Sequence, residues 1–552
     1  MYYKRIEHIN YRDNTYVTVD NNLTVNGNII VKTDGSFVQV NDDAIIGGNV
    51  LTDKSKIKVE KETSNLGSAE EYTYWSAPVF NETIGDGLAE ANTSRTFWYN
   101  GQNYLDATRE VANDNTTLDG QDDVDDNGDD WQYATTATVM APGVGYAATQ
   151  NSSGTFPGQF TYTFEGAFNN GIYNVPIYRN DSETNDNNWN LIGNPYPSAL
   201  DADSFLAENT NITQTIGAIY LWSQTTAADK NSNGNQGYNY AQSDYAIING
   251  TGQTMGGDGV MPTRHIPSGQ GFFVSMDNAA ASTVVSGDIK TTNVVFNNSM
   301  RVTGNNAKFS RTTTTDEANK LWVNLTTDNG VANQILVAYL DGASDSEDGT
   351  FYDIKRGTYE DVNAVIYSFI PTSPEAKYVI QAKHSSSLSL EEVIPFGFNT
   401  SIEEPTIYTF SIPQTEGAFM NGNAIYLNDK FLNVVQDISE NNYAFTSDSG
   451  VFDDRFEIMF TPMTLSIDDA MLSSNDIRII ELKSGEVKIY TNKNVTITNV
   501  EISDMLGRRI YNLKGDSSSE TYNLSRLSQA AYIAKVTLSN GQTISKKAVK
   551  KN

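Results

Sequence analysis

Short runs of alternating apolar and polar residues, each stopped by Asn, Asp, Gly or Pro, commit this chain to β structure. Near the N-terminus they place Leu23 with Val25, Ile29 with Val31, and Val38 with Val40. Successive strand side chains point to opposite faces, so a period of two builds a half-buried sheet; an amphipathic helix needs apolar residues three and four apart. The one convincing helical pattern covers 199–209, where Asp201 or Asp203 is placed to cap a short helix. Composition points the same way, being rich in Asn, Thr, Ser, Gly and Tyr and modest in aliphatic residues. The expected fold is all-β.

A chain of 552 residues exceeds a single ordinary core, so we expect several domains. Residues 1–64 predict a short β-solenoid or meander, because strand-like segments recur between Asn/Asp/Gly turns. A solenoid coil needs neighbours and a cap. The first residues also lack the basic-then-apolar pattern of a signal peptide. On both grounds this segment is expected to continue a longer upstream region. Residues 65–300 predict a β-rich module with tight turns at Ala141–Pro142–Gly143, Gly193–Asn194–Pro195 and Pro267–Ser268–Gly269. Residues 301–463 predict a β-sandwich domain, with partial alternation over 321–325, 334–339, 408–412 and 455–460. A linker is expected at 464–474. Residues 475–552 predict an immunoglobulin-like β-sandwich of about seven strands, in which Tyr532, Ala534, Val536 and Leu538 share one face.

Charge separates the tail from the rest. From Ser473 onward there are thirteen Lys/Arg and seven Asp/Glu, a net of +6, while the preceding 472 residues carry a net of −37. So acidic a body excludes nucleic acid and anionic membranes as its partners. No stretch of eighteen apolar residues is present, so no transmembrane helix is expected. With no cysteine, disulfides cannot contribute, and stability falls to core size and bound ions.

Two stretches have the spacing of a calcium loop, whose oxygen ligands at alternate positions converge while glycine permits the sharp turn. The first contains Asp123, Asp125, Asn127, Gly128 and Asp129; the second contains Asp229, Asn231, Asn233 and Gly234. Ala134 stands where an EF-hand would place its bidentate glutamate. Solvated acidic loops are the competing reading. Zinc has no support, since His8, His265 and His384 are isolated. No nucleophile elbow or phosphate loop occurs. Sixty-eight acids allow chance pairing but give no local signature of a glycosidase pair. The expectation is a non-enzymatic chain. Trp75, Trp98, Trp131, Trp189 and Trp222 gather in the 65–300 region. Trp131, directly after the acidic stretch, is the candidate for glycan contact, although large aromatics in β proteins are mostly core.

The tail resembles the C-terminal sorting domain of type IX secretion cargo from Bacteroidetes, in its commonest, type A-like form. The resemblance rests on Asp504–Met505–Leu506–Gly507–Arg508, the segment containing Tyr532 and Val536, Gly541, and the terminal Lys546–Lys547. More loosely, the segments around Trp75, Gly193–Asn194–Pro195–Tyr196, Gly269–Gln270–Gly271 and Asn297–Asn298–Ser299–Met300–Arg301 resemble flavobacterial surface proteins. The resemblance implies a secreted or cell-surface, adhesin-like protein whose tail is read by the type IX translocon and its sorting and attachment machinery. Asp504, Leu506, Gly507, Arg508, Tyr532, Val536, Gly541, Lys546 and Lys547 would form the signal. The alternatives are a calcium-dependent carbohydrate-binding module, with an extracellular glycan as partner, or the non-catalytic C-terminal part of an extracellular hydrolase.

Overall fold

A computed structural model describes residues 8–10, 15–48, 53–103, 130–181, 188–211, 216–224, 240, 244–304, 306, 318–328, 330–356, 364–403, 406–461, 477–482, 485–491, 495–504, 508–527, 529–539, 541 and 543–551. Nearly all regular structure is strand, and the chain divides into two compact units, Met1–Thr461 and Pro462–Asn552. No helix among the described residues is long and apolar enough to cross a membrane.

The first unit begins with stacked parallel ladders. His8–Asn10, Asn28–Val31 and Ile57–Glu62 pair in parallel, as do Tyr16–Val19 with Ser36–Gln39 and Leu23–Thr24 with Ile46–Gly47. Hairpin-connected strands would pair antiparallel, whereas parallel pairing needs a long return path for the chain. Thr161–Glu165 adds to Ile57–Glu62 in the antiparallel sense. Val25, Ile29, Val31, Ile57 and Val59 face a common core with Trp75, Tyr162 and Phe164. Val40, expected on the buried face, is 53% exposed, and Phe37 is buried instead.

The helix expected near 199–209 begins later than its pattern, after a strand at Ala199–Asp201: an α-helical turn covers Ala202–Leu206 and a π-helical turn continues it over Ala207–Asn211. Asp201 is the cap, its Oδ1 accepting the Ser204 amide at 2.7 Å. Two further single-turn helices, Ile84–Gly87 and Ala418–Gly422, are too short to leave a sequence period.

Phrases far apart in sequence converge on one buried node. Arg301 is 6% exposed and donates to Phe37 O at 2.6 Å, Asn170 Oδ1 at 3.0 Å, Asn298 Oδ1 at 3.2 Å and Ser198 Oγ at 3.3 Å. Its guanidinium lies 4.8 Å from the Tyr196 ring centroid. Burial lowers its pKa to about 10, opposed by Tyr196, Tyr173 and Asp42, so the cation persists at neutral pH. Asn194 Nδ2 donates to the carbonyls of Ser198, Ile266 and Pro267, and Ser268 Oγ donates to Tyr196 O. Asn170 Nδ2 reaches the carbonyls of Asn41, Asp42 and Ala44, tying the parallel ladders to the same node. Gly143 approaches closely here: it has φ 81°, and a Cβ would sit 2.3 Å from Val175 Cγ2.

Residues 319–459 form a sheet of twelve strands, ten of them along a nearly closed, barrel-like path and two, Ile354–Lys355 and Thr415–Glu416, beside it. Leu321, Val323, Leu325, Ile335, Val337 and Tyr339 fill its interior with Phe396, Phe398, Phe410 and Phe456. On the outside, Trp322, Leu336, Ala338 and Ile380 pack against Ala218 and Ile247 of a neighbouring sheet. Both faces of Asn319–Thr327 and Ala332–Leu340 are therefore apolar, which explains why alternation there is only partial. The path ends at Val434–Asp437 and Tyr443–Thr446, which share no ladder. Tyr443 Oη instead donates to Asp429 Oδ2 at 2.9 Å, beside the buried Arg455–Asp429 pair.

The second unit is two antiparallel sheets around one core. Ile477–Glu481, Val487–Thr491 and Ser519–Tyr522 form one; Arg509–Ser517, Ile497–Asp504, Ala531–Leu538 and Thr543–Val549 form the other, in that order. Tyr532, Ala534, Val536 and Leu538 all face inward.

Candidate functional site

Rings from two sheets of the first unit meet around Tyr74. Its centroid lies 5.6 Å from Phe273, 5.8 Å from Trp222, 6.1 Å from Trp131 and 6.4 Å from Tyr245. Tyr72 and Tyr74 lie two residues apart on one strand, as do Arg95, Phe97 and Tyr99 on the next, so each set shares a face. Tyr74 Oη and Tyr245 Oη are 2.9 Å apart, and burial raises both phenol pKa values, keeping the pair neutral. At the rim, Arg95 lies 5.3 Å from the Tyr72 centroid and donates to Tyr72 Oη and Tyr240 Oη, each at 3.3 Å. Tyr72, Trp131, Trp189, Tyr220, Trp222 and Tyr245 are only partly buried. The cluster places ring faces beside phenol hydroxyls and the Arg95 guanidinium, which bond to one another.

Trp131 is edge-packed against Tyr99 at 5.1 Å and Phe273 at 5.8 Å and is half-buried. Asp123, Asp125, Asn127, Asp129, Asp229, Asn231 and Asn233 lie outside the described residues. The described residues that bracket them are informative: Tyr99 with Trp131 bracket the first stretch, Trp222 with Tyr245 the second, and all four belong to the same cluster. Ala134 is fully buried, a core residue at the place of the missing glutamate. Among the described residues, no group of three or more His, Cys, Asp or Glu is placed to hold a metal ion. Tyr72, Arg95 and Tyr240 were not singled out from sequence, although the spacing of two in each strand carried the signal for the first two.

Two other perturbed groups are closed off by backbone. Burial raises Asp353 to about 7, against two amide donors, Asp348 N at 2.8 Å and Ala382 N at 2.9 Å. Burial lowers Lys61 to about 7, and its ammonium donates to Thr33 O and Asn306 O, both at 2.7 Å. Neither faces a partner suited to acid–base exchange.

In the tail, Asp504 and Arg508 clip a hairpin shut. Arg508 N donates to Asp504 Oδ1 at 2.9 Å, Arg508 Nε to Oδ2 at 2.7 Å, and Asp504 N to Arg508 O at 3.0 Å. Leu506 and Gly507, between them, lie outside the described residues. Tyr532 and Val536 are core residues. Gly541 turns between the last two strands with φ 82°, where a side chain would be strained. Lys546 Nζ donates to Ile477 O at 2.6 Å and Lys550 Nζ to Gly485 O at 2.8 Å, pinning the two sheets together. Lys547, by contrast, is exposed.

An all-β chain of two compact units, with an aromatic cluster in the first and a small sandwich as the second, is what fold and sites define. The chain belongs to the family described as domain of unknown function DUF8693, whose model matches residues 4–460. A second family model, DUF8694, also a domain of unknown function, matches 465–550, so the interval between the two matches spans the division between the units. No curated protein matches. A solved structure, the CupB2 chaperone of Pseudomonas aeruginosa, aligns over 42% of this chain and 86% of that chain at 12% identity, with a TM-score of 0.12, too low to bear on fold or function.

Proposed function

We propose that the chain is a secreted or cell-surface, adhesin-like structural protein whose C-terminal sandwich is a type IX export and attachment signal. The observation that carries this is the tail itself: a separate compact unit with its own core and a net charge opposite in sign to the rest. The parallel ladders at the N-terminus read as solenoid coils, and the tail as an immunoglobulin-like sandwich, an arrangement suited to display. In this reading the tail addresses the chain to the translocon, and the extracellular surface is its destination. Removal of residues 473–552 in a type IX-secreting bacterium is expected to leave the protein in the periplasm, measured by fractionation and by protease treatment of whole cells. Normal surface display of the truncated chain would sink the proposal.

The aromatic cluster favours a second reading, a glycan-binding module with calcium in the two Asp/Asn stretches that its rings bracket. On a glycan array the full chain is then expected to bind, and to lose binding after chelation or with Trp131→Ala. Binding indifferent to both changes would remove this reading.

A further inference from the structure

The two sheets of the tail bury one face each, and the outer face of the four-stranded sheet carries an unbalanced charge. Val500, Ile502, Tyr532, Ala534, Val536 and Ile544 point into the core, so the residues alternating with them point outward. Ser503, Ile533 and Lys547 stand abreast across three strands, with Arg509 opposite Ser503. Beside them run Glu501, Lys535 and Ser545, and then Lys514, Asn499, Thr537 and Thr543. Glu501 is occupied by Arg509 at 3.1 Å. Lys514, Lys535 and Lys547 are exposed, and none has a carboxylate within ion-pair distance among the described residues.

Resting on the export reading, we propose that this face is the recognition surface of the tail, and that its partner is an acidic protein face docking on Lys514, Lys535 and Lys547. Lys535 and Lys547 stand on neighbouring strands two positions apart and repel one another until carboxylates neutralise them, while Lys514, two strands from Lys535, extends the same positive face. The −37 carried by the preceding 472 residues disfavours an extended polyanion such as an anionic membrane. A local acidic patch on a protein needs to meet only the tail, because charges beyond about 8 Å are screened at physiological salt. A carboxylate and Ile533 amid the cations also fit a shaped protein interface better than a uniform lipid surface. Of the other residues of the expected signal, Asp504, Arg508, Tyr532, Val536, Gly541 and Lys546 then act by holding the sandwich together.

The test uses the full chain carrying Lys514→Glu, Lys535→Glu and Lys547→Glu, expressed in a type IX-secreting bacterium. Surface display is expected to fall at least about tenfold, a loss of ~1.4 kcal/mol or more in recognition, with the unfolding midpoint of the purified chain unchanged. The triple Lys→Arg chain is expected to be displayed normally. If the Glu chain is destabilised, the triple Lys→Gln chain is judged by the same criterion. Normal display of the charge-altered chain, or loss of display with the Arg chain, would overturn the proposal. So would charge-dependent sedimentation of the wild-type chain with phosphatidylglycerol vesicles, which would make the face a membrane patch. If the 473–552 deletion is retained in the cell while the Glu chain is displayed, this inference alone fails. If the deletion is itself displayed, the export reading fails.

Discussion

Replacing Asp429 by Ala is expected to destabilise the first unit by about 3–5 kcal/mol, the cost of leaving a buried charge without its partner. Asp429 is fully buried and Arg455 is 5% exposed. Arg455 grips the carboxylate through Nε at 3.1 Å and Nη2 at 2.8 Å, and the amides of Phe431 and Leu432 and the Tyr443 hydroxyl complete its shell. The guanidinium also lies 4.7 Å from the ring centroids of both Phe445 and Phe456. This network spans the gap where the barrel-like sheet lacks a ladder, so its loss opens the sheet as well as stranding a cation. Arg455→Ala is expected to cost a similar amount, and the double variant less than the sum, as read by a double-mutant cycle from denaturant unfolding. Simple additivity would show that the two side chains do not act together. Burial raises the pKa of Asp429, but Arg455, the Leu432 amide and Tyr443 outweigh it and hold the value below the usual carboxylate range. The stabilisation is therefore present above about pH 4 and lost as pH falls through the lowered folded value. The stability of the wild type should therefore fall on acidification more steeply than that of Asp429→Ala.

The strands were legible because a period of two survives wherever one face is wet. In the tail, Tyr532, Ala534, Val536 and Leu538 take the inward positions that their spacing predicts. Where both faces are covered, as at Trp322 and Leu336, the period blurs and the sequence shows only an apolar run. Parallel pairing of Tyr16–Val19 with Ser36–Gln39 left no local mark, because strand period is indifferent to the direction of the neighbour. The aromatic cluster was half visible. The tryptophans could be counted, but their meeting with Tyr74 and Arg95 depends on pairings across loops of tens of residues. The same distance hid the partnership of Asp429 and Arg455, each of which reads alone as an ordinary surface charge.

The phrases around Tyr196, Ser268 and Arg301, read from sequence as tight turns and as a loose family resemblance, meet in the structure at one buried node. Arg301 is expected to be among the most sensitive positions in the chain: Arg301→Met should cost on the order of 4 kcal/mol, since charge-assisted hydrogen bonds contribute roughly 1.5–3 kcal/mol each. Methionine fills much of the volume but leaves Phe37 O, Asn170 Oδ1, Asn298 Oδ1 and Ser198 Oγ without this donor. Asn170 in turn orients three carbonyls of the 41–44 turn, and Pro197 O accepts the Phe37 amide at 2.9 Å, so the parallel ladders are held by the same node. Loss of Arg301 should therefore loosen residues 15–48 first. Limited proteolysis of Arg301→Met is expected to cut within that segment before the barrel-like sheet, and denaturant unfolding to show an early phase absent from the wild type. Arg301→Lys should recover only part of the loss, because an ammonium lacks the planar fork that reaches several separated acceptors at once. If the Met variant unfolds with the wild-type midpoint and cleavage pattern, the node contributes packing alone and the ladders are held by their apolar core. A full rescue by lysine would mean that charge, not the fork, is what the four acceptors require.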